Sequence, residues 1–106
     1  FFKKLQSNPF PYMLLVAKVK KPDKIPAITH VDGTGRLQTV SRSTNQLYYD
    51  LISKFFEITG VPVVVNTSMN VRGEPIVNTL EQAFNMLIKT DLDYIMMGNH
   101  VIPKQV

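Results

Sequence analysis

The sequence predicts an α/β (α+β) chain in which a mixed, twisted β-sheet is covered by two amphipathic helices. Three observations predict it. Val61-Pro62-Val63-Val64-Val65 is a dry β-branched run that reads as a buried strand. Leu80, Ala83, Phe84, Leu87 and Ile88 recur at helical spacing behind Thr79-Leu80-Glu81-Gln82, which has the form of a capping box. Tyr48, Leu51, Ile52, Phe55 and Ile58 repeat the same period and stop at Gly60, a residue suited to a left-handed helix cap. Strands interleaved with two such helices imply layering of helix on sheet.

Taken in order, Tyr12 to Val19 reads as a strand closed by Lys20-Lys21-Pro22, whose charges and proline blunt a sheet edge. Pro22 to Pro26 reads as a turn. Ile28 to Val31 and Arg36 to Val40 read as short strands joined by Asp32-Gly33-Thr34-Gly35, a hairpin whose glycines permit a tight reversal. Ser43-Thr44-Asn45-Gln46 is a first capping box for the helix that follows. Tyr94 to Met97 reads as a strand, with Met96 and Met97 as core filling, and Gly98-Asn99 turns the chain into His100-Val101-Ile102.

With 106 residues and 44% hydrophobic content, the chain is expected to form a single domain, residues 1–106, or a piece of a larger protein. No apolar run approaches the roughly 20 residues that cross a bilayer, and Phe1-Phe2-Lys3-Lys4 lacks the pattern of a signal peptide. Zero cysteines exclude disulfides, thiolate metal sites and thiol nucleophiles, and fit a soluble, cytoplasmic protein. The net charge of +4 is concentrated in Lys3, Lys4, Lys18, Lys20, Lys21 and Lys24. These lysines flank apolar and proline-rich segments and include no glycine-aromatic RNA signature, so they read as a solvated edge rather than a nucleic-acid surface.

Two polar constellations stand out. Asn66-Thr67-Ser68-Met69-Asn70-Val71-Arg72-Gly73-Glu74-Pro75 follows the apolar Val61 run, where a strand leaving an open sheet commonly opens into a ligand crevice. Asn and Ser supply neutral hydrogen bonds, Arg72 can grip two oxygens of an anion, and Gly73 lets backbone approach closely. A well-hydrogen-bonded turn accounts for the same residues without a ligand. The second constellation runs from Thr29 to Val40. In a regular hairpin, alternation places His30, Asp32, Arg36 and Gln38 on one face, as either an anion site or a solvent-facing strand pair. His30 has no nucleophile in sequence to pair with, and two histidines without a carboxylate cluster make no metal site within the chain.

Three long motifs in order carry a resemblance to a known family: Pro11-Tyr12-Met13-Leu14-Leu15-Val16-Ala17; Ile25 through Val40, containing His30-Val31-Asp32-Gly33-Thr34 and Arg36; and Gly60 through Val77, containing Asn66-Thr67-Ser68-Met69-Asn70. From about Pro9 to Ile102 the chain resembles the C-terminal region of the nodulation-type O-carbamoyltransferases. That resemblance implies a partial YrdC-like α/β fold that binds ATP, with Mg2+ carried by the nucleotide, and carbamoyl phosphate. It implies formation of carbamoyladenylate and transfer of the carbamoyl group to a hydroxyl acceptor by a separate N-terminal domain of the same protein. Thr67-Ser68-Met69-Asn70 is similar to the T-S-x-N signature of YrdC-type proteins, which assigns Ser68 and Asn70 to phosphate binding. Arg36 matches the arginine of the H-V-D-G-T-x-R motif and would stabilise charge during adenylation. His30, Asp32, Gln38, Asn66, Thr67 and Arg72 are motif members on the binding surface.

Family members carry a G-x-R-x-x-G-x-R-S stretch and a K-x-R pair upstream of this region, and the sequence starts after both. The chain alone is therefore expected to be inactive, and Met69 stands where the family usually has phenylalanine. A non-catalytic RNA- or anion-binding module and a structural docking domain are the alternatives from other functional classes.

Overall fold

The computed structural model describes residues 1–3 and 10–105. The chain divides into two compact units, Phe1–Val65 and Asn66–Val106. Two helices and two small antiparallel sheets make it a mixed α/β protein, as the sequence predicts.

In the first unit, β1 (Leu15–Lys18) pairs with β2 (Thr34–Leu37), with Leu15 opposite Leu37 and Lys18 opposite Thr34. Val19 extends β1 by bridging to Phe2. Ala17 and Val19 point inward by strand alternation and are buried, as are Phe10 and Ile25. Gly35, opposite Ala17, is buried as well, and a Cβ there would lie 2.9 Å from the Ile28 carbonyl oxygen and 3.3 Å from both Phe2 and Val19.

Ile28 to Val31 does not form a strand. Pro26, with its fixed φ, starts a single 3-10 turn over Pro26–Ile28, and the Thr29 hydroxyl donates back to the Ile25 carbonyl at 2.8 Å. The predicted reversal is nevertheless present in compressed form. His30 N–H donates to Thr34 O, Gly33 N–H donates to His30 O, and Gly33 has φ of 74°. This is a three-residue hairpin loop closed by a left-handed glycine. The partner that ladders with β2 is β1, from earlier in the chain.

Helix α1 (Gln46–Thr59) starts two residues later than the Ser43 capping box implies. Asn45 is its cap, its side chain accepting from Tyr48 N–H at 3.1 Å, while Ser43 and Ser41 hydroxyls lie 3.3 Å apart in the turn before it. Gly60 ends it in the left-handed conformation, donating to Phe56 O. Its apolar face buries no residue, and Leu47 and Ile58 are 84% and 76% exposed. Val61–Val65 lies outside any strand. Val63 and Val64 are only half-buried, so the β-branched run has the composition of a core strand without a ladder partner among the described residues.

In the second unit, α2 (Leu80–Lys89) carries the capping box read from the sequence. Gln82 N–H donates to Thr79 Oγ1 at 3.2 Å, and Gln82 Oε1 accepts from Thr79 N–H at 3.1 Å and Asn78 N–H at 2.7 Å. Strands β3 (Tyr94–Met97) and β4 (His100–Pro103) pair antiparallel about the Gly98 turn. Ala83 and Leu87 of α2 pack on Ile95 of β3, with Val77, Met97 and Ile102 around them. Met97 is thus core filling, whereas Met96 points outward and is 65% exposed. No helix among the described residues is long and apolar enough to cross a membrane.

Candidate functional site

The hairpin loop of the first unit is held by a short chain of polar contacts. Asp32 sits two residues before Thr34, the spacing at which an Asp side chain turns back onto backbone. Its Oδ1 accepts from Thr34 N–H at 3.0 Å and from the Thr34 hydroxyl at 2.6 Å. His30 Nδ1 lies 3.2 Å from the same hydroxyl oxygen. Lys18, opposite Thr34 on β1, donates its ammonium to the Asp32 carbonyl at 3.0 Å. The Thr34 hydroxyl and amide, assisted by the charges of His30 and Lys18, hold the Asp32 carboxyl below its ordinary range.

Of the residues predicted for this surface, the structure brings His30 and Asp32 together through Thr34. Arg36 lies two residues further along β2, so it leaves the strand on the same face as Thr34. Its guanidinium is exposed and has no hydrogen bond or ion pair among the described residues. Gln38 is beyond the end of β2 and anchors backbone, donating its amide to the Pro11 carbonyl at 2.9 Å. Thr34 and Lys18 were not singled out from sequence, although the Asp-x-Thr spacing is a recognisable signal for the first.

The polar loop of the second unit is closed by Asn70. Its amide nitrogen donates to the Val71 carbonyl at 3.2 Å and the Glu74 carbonyl at 3.1 Å, and its oxygen accepts from the Ser68 hydroxyl at 2.7 Å. Backbone bonds from Glu74 N–H to Val71 O and from Val77 N–H to Met69 O complete the loop. Gly73, at φ of 85°, takes the third position of the Val71–Glu74 turn, where a type II turn requires positive φ. Arg72 precedes it and is exposed, with no side-chain partner among the described residues. Thr67 and Ser68 are exposed at the start of the loop, next to Asn66.

A groove of about 180 Å³ lies between the end of this loop and α2, lined by Val71, Glu74, Pro75, Asn85, Met86 and Lys89 among others. Ser68, Asn70 and Arg72 do not line it. Among the described residues no three or more His, Asp or Glu side chains gather as metal ligands.

Each unit therefore presents one exposed guanidinium, Arg36 or Arg72, with no partner among the described residues, within two residues of a hydrogen-bonded turn. The family model described as "Carbamoyltransferase C-terminus" matches residues 1–104. The chain belongs to that family. Nodulation protein NolNO of Sinorhizobium fredii is 46% identical to this carbamoyltransferase C-terminal chain over 98 residues, covering 91% of the chain and 14% of the relative. Nodulation protein NolO of Bradyrhizobium diazoefficiens is 44% identical over 97 residues, covering 90% of the chain and 18% of the relative. MJ1051 of Methanocaldococcus jannaschii, uncharacterized, is 41% identical over 96 residues, covering 89% and 19%. The chain thus spans less than a fifth of the length of these relatives.

Proposed function

We propose that this carbamoyltransferase C-terminal chain supplies ATP- and carbamoyl-phosphate-binding loops to an O-carbamoyltransferase. The reaction is formation of carbamoyladenylate from carbamoyl phosphate, ATP and water, with orthophosphate and pyrophosphate leaving, followed by transfer of the carbamoyl group to a hydroxyl acceptor, with AMP leaving, by the rest of a longer protein. The observation that carries this reading is the pairing of each motif loop with an arginine that has no internal partner, Arg36 in one unit and Arg72 in the other. Both substrates are polyanions, and a planar guanidinium with open donors is suited to phosphate oxygens.

The roles divide by what the side chains already do. Arg36 and Arg72 bind phosphate. Asn70 spends both amide hydrogens on backbone carbonyls, so it shapes the loop that presents Ser68 and Thr67. Asp32 orders the hairpin loop beside Arg36. Gln38 fixes backbone at the end of β2, and Asn66 opens the second loop. Mg2+ enters on the nucleotide.

The test is pyrophosphate release from Mg-ATP in the presence of carbamoyl phosphate, using the full-length protein and its Arg36→Ala and Ser68→Ala variants. Loss of release with unchanged circular dichroism supports the reading, and unchanged turnover in both variants defeats it.

A docking role has its own observation: the apolar face of α1 is uncovered, with Leu47, Leu51 and Ile58 all exposed. That face is the surface on which the remainder of a longer protein would rest, and it is compatible with the enzymatic reading. For an RNA-binding role the support is weaker, because Lys18 is engaged with the Asp32 carbonyl and Lys21 lies 5.3 Å over the Phe1 ring.

A further inference from the structure

The contact between His30 and Thr34 fixes which ring nitrogen carries the hydrogen. A threonine hydroxyl has one hydrogen, and here it is donated to Asp32 Oδ1 at 2.6 Å. Toward His30 Nδ1, 3.2 Å away, Thr34 Oγ1 has only lone pairs left. Nδ1 must therefore be the donor, and in the neutral ring the lone pair is on Nε2, facing away from Thr34. A neutral His30 held in this way offers no hydrogen to a phosphate oxygen. It offers an acceptor.

Thr34 and Arg36 project from the same face of β2, about 7 Å apart along the strand. One face thus carries a hydrogen-bond acceptor at His30 and an anion-gripping cation at Arg36. Carbamoyl phosphate has the matching polarity over a short span, an NH2 donor at one end and a phosphate dianion at the other. Resting on the function proposed above, we infer that His30 Nε2 accepts a hydrogen bond from the carbamoyl NH2 while Arg36 holds the phosphate, and that Thr34 is the positioning residue that sets the tautomer. His30 then selects a carbamoyl group over an acetyl group, whose methyl cannot donate.

Two measurements on the full-length protein test this. Long-range 1H–15N correlation of the neutral His30 ring is expected to show the Nδ1–H tautomer. Thr34→Val should return the ring to the Nε2–H form, and Thr34→Ser should restore Nδ1–H. An Nε2–H ring in the unaltered chain would overturn the inference without touching the proposed carbamoyl-phosphate site. Titration with carbamoyl phosphate and acetyl phosphate should then show a preference for the carbamoyl compound of about fivefold or more, the size of one neutral hydrogen bond, abolished in His30→Ala. Equal binding of the two compounds would overturn the inference and leave the phosphate-binding reading intact. Binding of neither compound would overturn both.

Discussion

The Ser68 hydroxyl donates to Asn70 Oδ1 at 2.7 Å, and the same Asn70 amide donates on to Val71 and Glu74 carbonyls. The signature residues of the second loop are thereby unequal. Asn70 is the internal brace, and Ser68 is the exposed group that the brace aims. Asn70→Ala removes three hydrogen bonds, two of them to backbone carbonyls that tie the loop across four residues. We expect a loss of about 1–2 kcal/mol in urea unfolding, against less than about 0.5 kcal/mol for Ser68→Ala, because the latter deletes only the exposed Ser68–Asn70 bond and leaves both bonds to backbone carbonyls in place. Equal effects of the two substitutions would show that Asn70 does not brace the loop.

Gly35 and Gly73 are both needed, for different reasons, and their alanine variants separate the two. At Gly35 a Cβ would press on the Ile28 carbonyl oxygen at 2.9 Å, so Gly35→Ala must move backbone and should cost about 1–3 kcal/mol. At Gly73 a Cβ meets nothing within 4 Å, and only the positive φ is penalised, at about 1–2 kcal/mol. Gly73→Asn, which tolerates the left-handed region, should recover most of the second loss, whereas Gly35→Asn should be worse than Gly35→Ala. Chemical denaturation of the four variants makes the comparison.

Acid should loosen the hairpin loop. The folded-state pKa of Asp32 is lowered, first by the Thr34 hydroxyl and amide and then by His30 and Lys18. The contribution of these contacts is thus present above the ordinary carboxylate value of about 4 and is lost as pH falls through and below it. The Thr34 amide shift should titrate with the Asp32 carboxyl carbon, at a midpoint below that of an unperturbed aspartate. Asp32→Asn keeps an acceptor without the charge, so its Thr34 amide should not respond over that range. A Thr34 amide in the unaltered chain that ignores acidification would contradict the bonding described.

What could be read from the sequence depended on how local its cause was. The Thr79 capping box, the Gly60 cap and the Gly98 turn are set by residues within four positions of one another, and all appear where the spacing put them. The pairing of β2 with β1 was not legible, because it depends on contacts across about twenty residues and on Pro26, which diverts the nearer segment into a 3-10 turn. Val61–Val65 shows the converse limit: its composition suits a central strand, but a ladder needs a partner segment as well as propensity. Within the site, the motif residues were legible as a set and their division of labour was not. That Gln38 and Asn70 anchor backbone while Arg36 and Arg72 stay open follows only from the folded structure.

The most direct test of the central claim is an NMR titration of the protein with Mg-ATP and then carbamoyl phosphate, following the amides of Gly33, Gly35, Arg36, Ser68, Asn70 and Gly73. Saturable shifts confined to the two loops are expected, with carbamoyl phosphate moving the Gly33–Arg36 amides and Arg36→Ala suppressing that response. Shifts spread evenly over surface lysines, or loops that stay silent while either ligand binds elsewhere, would contradict it.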